Sequence, residues 1–251
     1  MTDTQHERSN GSTAKLSMRN IEAGYYAHDL VLDHLNIAAS PNKATVILGP
    51  NGSGKSTALR VLYGILQPRQ GQVTLGARDI TAVPPHQRLE FGIALLPQGR
   101  STFPELTVQE NLEVGGWTLR NDRQKLAQAV EATYERYPIL KDMRHKFGAS
   151  LSGGQQRILE IARMMVSDPK ILLIDEPSVG LAPLLVKQVY EEIAKFKAEQ
   201  RTIVLVDQNI EAAVEIADYV YTLEYGRNHL EGNHTEFEGK LANLVKEWLR
   251  F

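Results

Sequence analysis

The sequence has no cysteine, so disulfide bridges and thiolate metal sites are both excluded. No run approaches the roughly twenty apolar residues that a membrane-crossing helix requires. The opening stretch, Met1 to Ala14, is polar and lacks the apolar centre of a signal peptide. Basic charge is not in excess either. Lys and Arg number 28 against 30 Asp and Glu, a net charge of -2. Phosphate-backbone binding ordinarily needs a basic surface, so no nucleic-acid partner is expected. The seven histidines are scattered with no H-x3-H pair, and no transition-metal site is expected. Internal repeats and low-complexity tracts are also missing.

What remains is a chain of 251 residues, 42% hydrophobic and 23% charged, ordinary for a globular protein in water. That length suits one large domain, or a core with a subdomain inserted in it. Residues 1–15 read as a flexible leader with no visible function, and residues 16–251 as the folded domain. The protein is expected to be soluble when isolated, with any membrane association supplied by a partner.

The apolar runs are short and several end in a polar residue. Ala44 to Leu48 leads into a glycine-rich loop, and Ile93 to Leu96 ends at Pro97-Gln98. Ile171 to Ile174 ends at Asp175-Glu176, and Thr202 to Val206 ends at Asp207-Gln208. Continuous apolar runs separated by helical stretches describe a parallel sheet covered on both faces, an α/β architecture. Ligands of such sheets sit beyond the carboxyl ends of the strands, where these polar residues fall.

From about Thr107 to Arg163 no strand pattern is convincing. A helix is expected from Arg123 to Tyr137, stopped by Pro138. This stretch reads as a helical subdomain, residues 99–163, inserted in the sheet domain. At the end of the chain, Thr235 with Glu238 makes a capping-box pattern. Phe237, Leu241, Leu244, Val245, Trp248 and Leu249 then share one face of an amphipathic helix, whose expected role is packing on its own domain.

Three motifs carry chemistry. Gly49-Pro50-Asn51-Gly52-Ser53-Gly54-Lys55-Ser56-Thr57 is a complete G-x-x-x-x-G-K-S loop between a buried strand and a helix pattern, Ala58 to Gly64. Its glycines let backbone N–H groups close on phosphates, and the following helix offers its positive end to the same anion. Lys55 is placed for the β- and γ-phosphates and the Ser56 hydroxyl for Mg²⁺. A merely flexible glycine loop is disfavoured because strand and helix are both in place. Next, Asp175 ends its strand where it can hold Mg²⁺ directly or through water. Glu176, one residue beyond, can reach the water attacking the γ-phosphate and is the candidate general base. An acidic loop after a core strand is the plainer alternative, but a phosphate loop needs such a partner. Third, Leu151-Ser152-Gly153-Gly154-Gln155-Gln156-Arg157 heads a helix expected from Ile158 to Val166. It offers an anion-binding helix start with the Ser152 hydroxyl added, although Ser-Gly-Gly alone could be a simple cap.

The combination of these motifs resembles the ABC ATPase family, whose signature is LSGGQ, over essentially the whole chain from Leu16. The resemblance implies a RecA-like P-loop core, mainly parallel with an antiparallel strand region, and an inserted helical subdomain. It implies that Ser152, Gly153, Gly154 and Gln155 cover the ATP held by a second subunit rather than their own. Tyr25 matches the aromatic that stacks on adenine, with Tyr26 next to it leaving the register open by one. Gln98 matches the glutamine that touches Mg²⁺ and the attacking water, and the loop Arg100 to Glu105 then meets a transmembrane subunit. The stretches PQGRSTFPELTVQENL, DEPSVGLAPLLV and VDQN resemble the ATPases of branched-chain amino-acid importers, the LivF-like group. Ala182 and Asn209 are typical of that group.

One departure matters. Most ABC ATPases carry histidine where this chain has Gln208. Glutamine can donate a hydrogen bond to a phosphate oxygen but cannot accept a proton, so Glu176 is expected to act as base and Gln208 to orient. The resemblance therefore implies an ATP- and Mg²⁺-dependent ATPase at the cytoplasmic face of a membrane. Its implied partners are transmembrane permease subunits, a second ABC ATPase chain in a heterodimer, and a solute-binding protein. Alternatives are the ATPase of a urea or short-amide importer and a non-transport ABC protein acting on DNA or ribosomes. The signature argues against a P-loop kinase, and the absence of N-K-x-D argues against a GTPase.

Overall fold

A computed structural model describes residues 14–237. The expected leader up to Thr13 and the terminal helix beyond Phe237 lie outside the described residues, but the helix already begins at His234, and Asn233 with Glu236, rather than Thr235 with Glu238, makes the reciprocal capping hydrogen bonds. In chain order the strands and helices are β1 (Leu16–Ala23), β2 (Leu32–Ala39), β3 (Ala44–Leu48), α1 (Lys55–Tyr63), β4 (Gln70–Leu75), β5 (Arg78–Asp79), α2 (Pro85–Glu90) and β6 (Ile93–Leu96). They continue as α3 (Val108–Gly115), α4 (Arg123–Arg136), α5 (Pro138–Asp142), α6 (Gly153–Met165), β7 (Ile171–Asp175), α7 (Pro183–Ala198), β8 (Thr202–Val206), α8 (Ile210–Ile216), β9 (Tyr219–Glu224) and β10 (Arg227–Asn233).

The main sheet has the order β10-β9-β3-β8-β7-β6. Its pairs are parallel from β9 through β6, and β10 closes the other edge antiparallel to β9. A smaller antiparallel sheet, β2-β1-β4-β5, accounts for the expected antiparallel region. The fold is thus α/β with a parallel core, as the apolar runs implied.

Alternation along the strands explains why those runs are continuous. Val46, Leu48, Leu172, Ile174, Ile203 and Leu205 face one core, shared with Leu159 and Ile161 of α6 and Ile193 and Phe196 of α7. Ile47, Ile171, Leu173, Val204 and Val206 face the other, shared with Leu59 and Leu62 of α1 and with β1 and β2. Both faces are covered, so nearly every position is apolar, Thr45, Thr202 and Asp175 excepted; each buried apolar side chain contributes about 1.5–3 kcal/mol relative to exposure.

Local chemistry places the helix ends, and here several boundaries differ from expectation. Pro138 does not merely stop α4; it sits in the first turn of α5, where its missing N–H is no loss. The helix at the signature starts at Gly153 rather than Ile158, because Ser152 caps it. The helix after the phosphate loop starts at Lys55, three residues before Ala58. Between β6 and β7 the described structure is helical apart from one isolated bridge, Thr107 to Phe147. No helix among the described residues is long and apolar enough to cross a membrane.

Candidate active site

Four neighbouring parallel strands, β6, β7, β8 and β3, end on the same side of the sheet. They deliver Gln98, Asp175-Glu176, Asp207-Gln208 and Gly49 in that spatial order. The loop after β3 turns through Gly49, Gly52 and Gly54, with φ of 155°, 81° and 99°. A side chain at Gly49 would place its Cβ 2.3 Å from the Leu223 carbonyl oxygen, which explains glycine at that position.

A pocket of about 370 Å³ opens above this loop, lined by Asn51, Gly52, Gly54, Lys55, Ser56, Thr57, Gln98, Glu176 and Gln208, with Val31 at its side. Lys55 is 4% exposed, and its Nζ donates to the carbonyl oxygens of Gly49 at 2.9 Å and Pro50 at 3.0 Å. The Ser56 hydroxyl donates to Asp175 Oδ1 at 2.9 Å. Glu176 is buried and held in a left-handed backbone conformation, φ 44°. Its carboxylate accepts from Gln98 Nε2 and, at 3.0 Å to each oxygen, from Gln208 Nε2. The phosphate loop, the Asp175-Glu176 pair and the strand-end glutamines Gln98 and Gln208 are therefore brought to one site.

Burial lowers the pKa of the Lys55 ammonium, against the opposing pull of Glu176, Asp175 and Asp207. Burial also raises that of Asp175, with the Ser56 hydroxyl acting in the other direction and the Glu176 charge adding to the rise. Both charges are taken out of water without a contact partner of opposite sign. A ligand bringing phosphate oxygens to Lys55 and a hard cation to the Ser56–Asp175 oxygens relieves both at once. The buried Ser53 hydroxyl, which has no hydrogen-bond partner, adds a free donor inside the same loop.

Tyr25 reaches the start of α1. Its hydroxyl lies 3.2 Å from Thr57 Oγ1, accepts from Arg60 Nη1 at 2.9 Å, and leaves the residue 46% exposed. Tyr26 is 79% exposed. Of the two candidates for a base-stacking aromatic, the structure brings only Tyr25 to the phosphate loop.

The signature is elsewhere. Ser152 and Gln155 form a reciprocal capping box on an exposed surface: Gln155 N donates to Ser152 Oγ at 3.3 Å, and Ser152 N donates to Gln155 Oε1 at 2.9 Å. A Cβ at Gly153 would meet nothing within 4 Å, whereas one at Gly154 would stand 2.7 Å from Leu185. None of Ser152 to Gln155 lines the phosphate pocket.

Sequence reasoning missed the groups that hold these loops. Asp207 is 1% exposed and accepts from Ser178 Oγ, Tyr190 OH and the N–H groups of Gln208 and Asn209. It fixes the turn that presents Gln208. On α6, Arg157 and Glu160 form a buried ion pair at 2.8 Å. An acid and a base at i,i+3 inside an apolar helix run, ILEIA after Arg157, was the available signal.

A strand, a glycine loop around a lysine, and paired acids at the end of β7, one strand removed in the sheet, define a P-loop nucleotide hydrolase. Residues 32–179 match the ABC transporter family. The chain is 35% identical over 232 residues to the Archaeoglobus fulgidus protein named "Probable branched-chain amino acid transport ATP-binding protein LivF", covering 90% of this chain and 97% of that one. It is 36% identical over 203 residues to the high-affinity branched-chain amino acid transport ATP-binding protein BraG of Pseudomonas aeruginosa, covering 81% and 86%. It is also 30% identical over 214 residues to the lipopolysaccharide export system ATP-binding protein LptB of Haemophilus influenzae, covering 84% and 88%. Among solved structures it is similar to the ADP conformation of MJ1267, an ATP-binding cassette of an ABC transporter, at 27% identity and TM-score 0.82, covering 95% and 99%. The chain belongs to the ABC transporter ATP-binding family. It is an ATP-hydrolysing subunit of a transporter and works with permease subunits.

Proposed function

We propose that this subunit drives import of branched-chain or related amino acids. The likeness to LivF and BraG supports that solute class, and the DEPSVGLAPLLV turn supports it from the sequence side. In this reading the chain sits on the cytoplasmic face of the membrane and pairs with a different ATPase chain. A solute-binding protein delivers cargo to the permease. Residues 16–251 form the ATPase domain, with 99–163 as a helical subdomain carrying the permease-facing loop Arg100 to Glu105.

The observation that carries the catalytic reading is the Glu176 carboxylate held by two glutamine amides within the phosphate pocket. Pro50 to Thr57 cradle the ATP phosphates, Lys55 leaves its loop carbonyls for them, and Tyr25 supports the adenine. Ser56, Asp175 and Gln98 would hold Mg²⁺, which would neutralise charge on the phosphate oxygens. Glu176 takes the proton of the attacking water and Gln208 orients it. Ser152, Gly153, Gly154 and Gln155 close over the nucleotide of the partner chain; the exposure of Ser152 and Gly153 and the absence of all four from the lining of their own phosphate pocket suit that role.

The test is to tag the chain, extract it from native membranes in mild detergent and identify what co-purifies. Two membrane-spanning proteins, a second ATPase and a binding protein with an amino-acid ligand are the expected set. Recovery with an export machine, or with ribosomes or DNA-repair proteins, would overturn the import reading and leave the ATPase chemistry standing.

A further inference from the structure

The loop after Gln98 and the turn after Glu176 meet on a single buried ion pair. Glu160, 2% exposed, accepts hydrogen bonds from the backbone N–H groups of Ser101 and, at 3.1 Å, Thr102. Its other oxygen accepts from Arg157 Nη1 at 2.8 Å. Arg157 Nε in turn donates to the carbonyl oxygen of Pro177 at 3.1 Å, and Pro177 follows Glu176 directly. Gln98 Nε2 donates to the Glu176 carboxylate, which closes the circuit. Both members of the pair lie in the first turns of α6, immediately behind Ser152 and the capping box.

We propose that Glu160 and Arg157 are positioning residues that lock the Gln98 loop and Glu176 to the signature helix as one mechanical unit. Their chemistry makes the link stiff. A carboxylate accepting two backbone N–H groups and a guanidinium is satisfied only in this one arrangement, and an unpaired charge in this interior is costly. Displacement of Ser101 and Thr102 therefore moves Glu160, Arg157 and Pro177 with it. Glu176 is already in a strained backbone conformation, φ 44°, so a small shift at Pro177 changes where its carboxylate points. Neither Glu160 nor Arg157 lines the phosphate pocket, so neither acts on ATP directly. The inference rests on the reading of Glu176 as the base.

The experiment measures ATP turnover and ATP affinity of the full chain, alone and with the membrane subunits that co-purify with it. The variants are Glu160→Gln, Arg157→Met, their double and Glu176→Gln. Loss of hydrolysis in Glu176→Gln establishes the base independently. In the chain with Glu176 intact, Glu160→Gln and Arg157→Met are each expected to lower kcat at least about tenfold, because a small misplacement of a reacting group is expensive. KM and the Kd of a fluorescent ATP analogue should stay within about twofold, and the double variant should lose no more than the worse single, since the two act as one unit. Should a single variant melt before assay, Arg157→Met/Glu160→Met removes both charges together, avoids a lone buried ion and is read instead. Wild-type kcat in the soluble variants, a rise in KM or Kd matching the fall in kcat, or additive losses overturns the proposal. Retained hydrolysis in Glu176→Gln overturns the base reading instead.

Discussion

Gln208 Nε2 stands 3.0 Å from both carboxylate oxygens of Glu176. The glutamine that replaces the family's usual histidine thus holds the neighbouring acid, a task that needs a donor and not a proton acceptor. Replacing Glu176 with glutamine removes the carboxylate that accepts from the Gln98 and Gln208 side-chain amides, and kcat should fall by about 10²–10⁴, the ordinary worth of a general base. Gln208→His keeps a ring N–H toward Glu176 and should retain most of the activity. Steady-state ATPase assays decide it: equal losses in the two variants would sink the division of labour.

Ser56 and Asp175 predict a metal phenotype. Their oxygens are 2.9 Å apart, a hard-donor pair at the phosphate loop. Asp175→Asn keeps the hydrogen bond from Ser56 but loses the charge. The Mg²⁺ concentration for half-maximal turnover should rise by about 10–100-fold. Nucleotide binding in excess chelator should not weaken, because removing a carboxylate relieves repulsion with phosphate. A loss of binding without metal would show that Asp175 serves the fold rather than the cation.

Much of this site was legible because strand ends and phosphate chemistry both leave local marks. Gly49 to Thr57 and Asp175-Glu176 are contiguous, and each declares itself by residue type. The buried polar supports were not legible, since their partners come from distant sequence. Asp207 gathers donors from Ser178 and Tyr190, and Glu160 gathers N–H groups from a loop 58 and 59 residues earlier. Strands β1, β2 and β4 went unassigned individually because the small sheet mixes buried and exposed positions, with register shifts within β1. The helix starts at Gly153 rather than Ile158 because the Ser152–Gln155 capping box carries its first turn across two glycines that composition alone marks as helix breakers.

Acid should loosen the attachment of α4 and α5 to α7. Burial tends to raise the Glu192 pKa, but hydrogen bonds from the Tyr137 hydroxyl and Arg136 outweigh it, leaving the group below its ordinary value of 4.5. A carboxylate with a lowered native pKa binds fewer protons folded than unfolded near that value. Its stabilisation is therefore complete above about pH 4.5 and disappears as pH falls through the lower native value. Chemical unfolding between about pH 6 and 3 should show a steeper loss for wild type than for Glu192→Gln. Parallel curves would remove Glu192 from the acid response.

Arg88 predicts a loss of stability without a loss of nucleotide recognition. Its side chain is fully buried, and its guanidinium donates to the carbonyl oxygens of Val83, Val61, Leu62, Ile80 and Thr81. Val61 and Leu62 lie in the last turn of α1, so Arg88 satisfies carbonyls at the end of the helix whose start binds phosphate. Gly64 leaves room for it; a Cβ there would stand 2.7 Å from Arg88 Nε. Arg88→Met keeps the length of the stem and strands these acceptors, at a cost of about 3–5 kcal/mol in urea unfolding. Arg88→Lys should recover under half of that, because an ammonium cannot span the same fork of acceptors. Saturating nucleotide should raise the melting temperature of each folded variant as much as that of wild type, since no Arg88 atom reaches the pocket. A variant that melts normally would show that the carbonyls find other donors, and one that loses the nucleotide-induced rise would place Arg88 in the binding machinery.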